Sequence, residues 1–297
     1  MQKAKIGFIG FGEAPYCISK GLLAGTAPDV IAFDVMAGDQ TLGPRIRARA
    51  EETNIRLTGS LQELLENAEY IFNFTSAKYA LSIAKEAAEF LKPGVNYADM
   101  NSASPMVKQE ISKIVGQTGA LFTDAAVMEL VPPNGPRVPI SASGTGARAF
   151  TDALNSIGMN ATYISDTAGA SSSMKMFRSI FMKGFTCLLL ESLSAAYKMG
   201  VGKEVMASIS GTLTKNTPEK LANLLINRTA VGAERRVSEM KDVVFTLEVL
   251  NLPAFTSKAT VERLQWICDL GLKEYFNGVA PANYEEVFEA IAKKMQQ

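Results

Sequence analysis

The chain has 297 residues, 47% hydrophobic and 20% charged, and its 30 basic and 30 acidic side chains cancel to a formal net charge of zero. That composition describes a globular protein with its own core, long enough for one large or two ordinary domains, and it excludes the basic surface that nucleic acid requires. There is no histidine, and Cys17, Cys187 and Cys268 are scattered, so neither a histidine proton shuttle nor a metal site is expected, while a reducing, cytoplasmic setting is.

The N-terminus runs into "KIGFIG" (5–10), read as a first strand without a signal-peptide layout ahead of it. A helix follows over "FGEAPYCISKGLLAG" (11–25), then a strand over "DVIAFD" (29–34). "SLQELLENA" (60–68) is helical, "YIFNF" (70–74) a strand, "ALSIAKEAAEFL" (80–91) a helix, and "VNYADM" (95–100) a strand after the turn "KPG". "LFTDAAV" (121–127), "RVPISAS" (137–143) and "NATYIS" (160–165) are further strands. Alternating strands and helices predict an α/β domain over residues 1–166, a Rossmann-type doubly wound parallel sheet.

From about Gly169 the pattern is helical, and residues 167–297 are expected to form an all-α domain for substrate binding and dimerisation. "MKMFRSIFMKGFTCLLLESLSAAYKMG" (174–200) is apolar on most faces, so burial inside that domain or against a second subunit is expected. A homodimer follows from the same argument. "PEKLANLLINRTA" (218–230), "ERRVSEMKDVVFTLEVLN" (234–251), "AFTSKATVERLQWICDLGL" (254–272) and "NYEEVFEAIAKKMQ" (283–296) supply further helices. No apolar run of about 18 residues is read, so no membrane span is expected. The methionines are expected to fill the core.

"IGFIGFGEAP" (6–15) joins the first strand to the first helix. Gly10 allows a tight turn, and Gly12 lets the backbone approach a pyrophosphate at the helix N-terminus. Asp34 ends the second strand, where a carboxylate binds the hydroxyls of an adenosine ribose. The expected dinucleotide set is Gly10, Phe11, Gly12, Glu13, Ala14, Asp34 and Thr75. Pro15 stands where a third glycine or alanine is usual, and the first helical turn tolerates it. Asp34 would repel a 2′-phosphate, so NAD is expected, with NADP as the alternative. Arg45 and Arg47 would either meet such a phosphate or sit on a solvated helix face. "SGTGAR" (143–148) is read as a plain turn, because no carboxylate-ending strand follows it at the right distance.

Oxidising an alcohol with a nicotinamide needs a proton acceptor beside the oxygen. Without histidine, a lysine serves if burial lowers its pKa from about 10.4. In "SSSMKMFRSIFMKG" (171–184), Lys175 precedes an apolar segment that offers such burial. The alternative is a solvated lysine at a helix start. Ser179 shares its face one turn on. Arg178 lies near that face and can pair with a substrate anion; structural ion pairing is the equal alternative for Arg178 and Lys183.

With these residues the chain resembles the β-hydroxyacid dehydrogenases, among them 3-hydroxyisobutyrate dehydrogenase, tartronate semialdehyde reductase and 6-phosphogluconate dehydrogenase, over nearly its whole length. "IGFIGFGEAP" is similar to the cofactor loop, and "LKPGVNYADMNSASP" to the substrate-loop segment. "GASSSMK" is similar to the Gly-x-Gly-x-x-x-Lys motif, and "MKDVVFTL" to the Lys-Asp segment. "GFGEA" and "KMFRSIFMKG" look like a 6-phosphogluconate dehydrogenase-like branch.

The resemblance implies that Lys175 is the catalytic lysine and that Gly169 and Ser171 take the two glycine positions of its motif. Asn101 and Ser102 take the place of the Ser-Thr pair, Ser179 that of an asparagine, and Lys241 that of the lysine near cofactor and substrate. The family's Asp-x-Pro-Val-Ser-Gly-Gly loop corresponds to "DAAVMEL" from Asp124, with Met128, Glu129 and Leu130 in place of Ser-Gly-Gly. The implied activity is NAD(P)-dependent hydride transfer with a small, anionic hydroxy acid or a related alcohol–carbonyl pair. An imine or amino-alcohol oxidoreductase is one alternative, and a non-catalytic dinucleotide-binding regulator the other.

Overall fold

The computed structural model describes residues 5–23 and 28–296. Ala24 and Gly25, which end the expected first helix, and the residues ahead of Lys5 lie outside them. The chain forms two compact units, Met1–Ile180 and Phe181–Gln297.

The first unit is built on β1 (Lys5–Ile9), β2 (Asp29–Phe33), β3 (Arg56–Leu57), β4 (Tyr70–Asn73), β5 (Asn96–Asp99), β6 (Leu121–Val127), β7 (Pro139–Ser143) and β8 (Asn160–Ser165). They make one sheet in the order β3-β2-β1-β4-β5-β6-β7-β8. Its helices are α1 (Glu13–Leu23), α2 (Gly43–Glu52), α3 (Leu61–Asn67), α4 (Ala80–Ala88), α5 (Pro105–Gly116), α6 (Val131–Asn134) and α7 (Ala147–Ser156). Side chains alternate across the sheet. Phe8, Phe72 and Ala98 pack with Ile18 of α1, Ile46 of α2 and Phe150 of α7. On the other face Ile9, Ile71 and Tyr97 pack with Leu64 of α3, Ala84 of α4 and Ile111 of α5. This is the doubly wound arrangement expected.

Two details of the sheet depart from the expectation. Strand β3 has two residues, too few to show a periodicity. Strands β6 and β7 pair antiparallel, so β7 and β8 run against the other strands. Only residues 128–138 separate them, a stretch holding one turn of α6, and a parallel crossover needs a full helix in roughly a dozen residues or more.

Helix α8 (Ala170–Lys198) crosses the division between the units. The second unit continues with α9 (Gly202–Lys215), α10 (Pro218–Val249), α11 (Phe255–Asp269), α12 (Leu272–Tyr275) and α13 (Tyr284–Met295). Two expected helices merge in α10, which kinks at Gly232 (φ −123°, ψ 21°). The core of this unit is small: Ala230, Leu272, Val287 and Ala290, with Ile226 and Ile267 against them.

Among the described residues, much of α8 is exposed and not buried as expected. Ile180, Phe181 and Leu190 are 70%, 68% and 64% exposed. By length and composition α8 could cross a membrane, which corrects the expectation that no segment qualifies. Lys183 and Glu191 interrupt its apolar run and hide it from a search for an unbroken one. The methionine expectation fails as well: Met100 and Met159 are buried, whereas Met106, Met176, Met182, Met199 and Met295 are exposed.

Candidate active site at the carboxyl ends of the strands

Between β1 and α1 the chain turns at Gly10, whose φ of +84° lies in the left-handed region. A Cβ there would stand 2.7 Å from the Phe74 carbonyl oxygen. Gly12 has open space where a Cβ would go. The amides of Gly12, Glu13 and Ala14 have no protein acceptor among the described residues. Free donors at the start of a helix suit an anionic group. Glu13 is exposed, and Pro15 is buried in the first turn. Phe11 differs from the expectation: its side chain is fully buried and its N–H donates to Asp34 Oδ2 at 2.8 Å.

Asp34 Oδ1 accepts from the Met36 N–H at 2.9 Å and caps a short 3₁₀ turn over Val35–Gly38. A carboxylate offers about four lone-pair sites, so each oxygen can take a further donor. The Arg47 guanidinium is committed to the Ala37 carbonyl oxygen, while Arg45 is exposed on α2.

Strand register sets Asn73, Asp99, Asp124 and Ser143 side by side across β4, β5, β6 and β7. All four are buried. Thr75 Oγ1 donates to Asn73 Oδ1 at 2.9 Å, and Asn73 Nδ2 donates to Asp99 Oδ2 at 3.0 Å and to the Tyr97 hydroxyl at 3.1 Å. Burial, then the Asp99 charge, pushes the Tyr97 phenol well above its usual value and keeps it neutral. The backbone N–H of Asn101 donates to Asp99 Oδ1, and its Nδ2 to Asp99 Oδ2, each at 3.1 Å.

Lys108 of α5 enters this row with no exposed surface. Its Nζ lies 2.5 Å from Asp99 Oδ1, 2.7 Å from the Asp99 carbonyl oxygen and 3.3 Å from Asp124 Oδ1. Asp124 in turn accepts from the Ser172 N–H at 2.9 Å and the Ser172 hydroxyl at 2.6 Å. The Ser171 N–H donates to Ser143 Oγ at 2.9 Å, and its own buried hydroxyl has no partner among the described residues. Gly169, ahead of α8, has φ +91°, and a Cβ on it would stand 2.9 Å from the Pro105 carbonyl oxygen.

Lys175 stands one turn into α8, and its Nζ donates to Ser102 Oγ at 3.1 Å. The amine is half-buried. Burial, then the Lys108 charge, lowers its pKa from the ordinary lysine value. Thr75, Asn101, Ser102 and Lys175 therefore belong to one polar network at the carboxyl ends of β4 and β5. Parallel α/β sheets bind ligands at this edge, where the strand order reverses between β1 and β4. Arg178 is exposed and Ser179 half-buried, and neither makes a hydrogen bond among the described residues. Lys175 bonds Ser102, not Ser179. Lys241 is exposed on α10 of the second unit.

Sequence reading missed Asn73, Asp99 and Lys108. The signal for Lys108 was periodicity, because it takes a core position in line with Pro105, Ile111 and Val115, the buried residues of α5.

Known proteins can now be compared with this arrangement. A conserved hypothetical protein from Sinorhizobium meliloti 1021 is 31% identical, superposes with a TM-score of 0.66, and is matched over 89% of this chain and 88% of its own. A conserved protein of unknown function, described as structurally similar to 3-hydroxyacid dehydrogenases, is 26% identical over 93% of this chain and 99% of its own, with a TM-score of 0.62. The chain belongs to the β-hydroxyacid dehydrogenase-like family. Within this dehydrogenase-like chain, residues 196–267 match the model of a domain of unknown function, DUF1932. The fold also matches an imine reductase from Aspergillus terreus solved with NADPH4 and dibenz[c,e]azepine, with a TM-score of 0.73, 14% identity, and coverage of 95% of this chain and 98% of that one. At that identity the likeness between the β-hydroxyacid dehydrogenase-like chain and the reductase is one of fold.

Proposed function

We propose that the protein is a nicotinamide-dependent oxidoreductase that moves a hydride between NAD and a small, anionic hydroxy acid or a related alcohol–carbonyl pair, with Lys175 as general acid and base. One observation carries the reading: a half-buried lysine amine of lowered pKa, held on Ser102 at the carboxyl edge of a doubly wound sheet.

The chain's groups fit the cofactor. The free amides of Gly12, Glu13 and Ala14 suit a pyrophosphate, and the turn at Gly10 brings the backbone to it. Asp34 suits the ribose hydroxyls and disfavours a 2′-phosphate, and Arg47 is already engaged at Ala37, so NAD is preferred to NADP. Thr75 completes the set. A bound nicotinamide would supply the hydride acceptor for oxidation and the hydride donor for reduction. In oxidation the neutral Lys175 amine takes the hydroxyl proton, and in reduction its ammonium gives one to the carbonyl oxygen. Ser102 orients that amine, and Arg178 pairs with the substrate's anionic group.

A second reading, reduction of an imine, uses the same ammonium as proton donor. It gains support from the loop after β6. Leu130 is 76% exposed there, and the Met128 amide is committed to the Pro139 carbonyl oxygen, where the resemblance implies small residues that hold a carboxylate. We further infer a cytoplasmic homodimer.

The test is a panel of hydroxy acids, alcohols and imines with NAD(H) and NADP(H), followed by the absorbance of the reduced nicotinamide. Turnover is expected with NAD(H). Lys175→Ala should lower it by about 100-fold or more while leaving NADH binding intact, and Lys175→Arg should not restore it. Oxidation should accelerate as pH rises through the Lys175 pKa and reduction should slow, with the inflection below the ordinary lysine value of about 10.4. Tight NADH binding without turnover on any substrate would leave a non-catalytic binding protein.

A further inference from the structure

We propose that Lys108 is a positioning residue: the ion triad it forms with Asp99 and Asp124 holds Ser102 and the first turn of α8 at the separation that joins Lys175 to Ser102.

Each carboxylate of the triad has a second task. Asp99 takes both the backbone and side-chain donors of Asn101, the residue before Ser102. Asp124 takes the amide and hydroxyl of Ser172, three residues before Lys175. Lys108 reaches both carboxylates from α5, so it ties the Ser102 loop to the helix that carries Lys175. Core filling alone does not account for it. Burying three charged groups carries a desolvation penalty before pairing, and apolar side chains of the same volume often serve stability as well or better. What the triad adds is a fixed geometry.

The charge that acts on the Lys175 amine is that of Lys108, which is itself paired with Asp99 and Asp124; Arg178 follows on α8, exposed. Burial of that amine depends on the triad, so loosening it should return Lys175 towards solvent. A consequence for turnover rests on the oxidoreductase reading, but the effect on the amine does not.

The test therefore uses no substrate and no cofactor. The protein is labelled with acetic anhydride across a range of pH, and the peptide carrying Lys175 is quantified against the exposed Lys78 by mass spectrometry. The double variant Lys108→Met/Asp124→Asn removes one charge of each sign, leaving the buried net charge unchanged. Its Lys175 labelling midpoint should rise towards that of Lys78, and its plateau labelling rate should exceed that of the unmodified protein, a gain in access that loss of the Lys108 charge alone does not produce. An unchanged plateau rate in a variant with native circular dichroism overturns the proposal, whatever the midpoint does. Should the double variant not fold, Ser172→Ala removes only the hydroxyl bond to Asp124. Its plateau labelling rate at Lys175 should exceed that of the unmodified protein, and an equal rate overturns the proposal.

Discussion

At the scale of single residues, Asp34 does two things at once. Its carboxylate fastens the glycine loop through Phe11 and caps the 3₁₀ turn through Met36, and on the proposed reading its charge would face any 2′-phosphate. Two substitutions separate these roles. Asp34→Ala should narrow the preference for NADH over NADPH and also destabilise the fold by about 1–2 kcal/mol, the cost of a lost cap and an unpaired amide. Asp34→Asn retains an oxygen acceptor, so it should narrow the preference with less loss of stability. Dissociation constants for both cofactors and melting curves check the pair, and tighter NADPH binding by the unmodified protein would sink the NAD preference and point to Arg45. The positions of Gly10 in the first strand-to-helix turn, of Asp34 just after the second strand and of Lys175 near the start of a long helix were legible in the sequence. Lys108 was not, because a buried ammonium becomes visible only when strand register sets Asp99 beside Asp124. Nor did the sequence reveal that the Phe11 amide is consumed within the protein.

At the scale of elements, the strands were readable wherever an apolar run had clear ends, and β3 escaped for want of length. The direction of β7 was hidden because polarity of pairing depends on the connection and not on the strand's own residues. Helix α5 went unread although Ser104 caps it and Pro105 opens it, since its polar residues mask the apolar face that carries Lys108. Helix α11 has no cap of its own: its N-cap, Ala254, offers no side-chain bond. Glu191 of α8 substitutes, accepting the N–H groups of Thr256 at 2.8 Å and Ser257 at 2.7 Å. Burial pushes the Glu191 carboxyl up, but the bonds from Ser257 and Thr256 outweigh it and leave the pKa below the usual value. A lowered carboxyl contributes stability above its unfolded value, about 4.3, and loses it as pH falls through the folded value. Glu191→Ala should therefore cost about 1–2 kcal/mol near neutrality. The deficit should shrink towards zero in acid, which denaturant melts at several pH values would show. A deficit independent of pH would mean that packing, not the capping charge, was lost.

At the scale of the whole molecule, α8 presents an apolar surface among the described residues. Phe177, Ile180, Phe181, Leu188 and Leu190 are all exposed, whereas apolar patches beyond a few hundred Å² are rare on monomers and mark interaction surfaces. The second unit also carries an apolar groove of about 460 Å³, lined by Leu225, Ile226, Ile267, Phe288 and Ile291 among others. A lipid bilayer would cover α8 but would also immerse Lys183 and Glu191, and a central lysine or acid costs about 2.5–3.5 kcal/mol or more. Glu191 is moreover already bound to α11. A second copy of the chain offers matching apolar surface without that penalty, and a two-fold axis lets one patch serve both partners. Multi-angle light scattering at micromolar concentration should accordingly give the mass of two chains. The double variant Ile180→Glu/Phe181→Glu should shift it towards one, because each new carboxylate would be buried unpaired in the interface. A single-chain mass for the unmodified protein would refute the dimer. Co-flotation of that monomer with lipid vesicles would then assign α8 to a membrane surface.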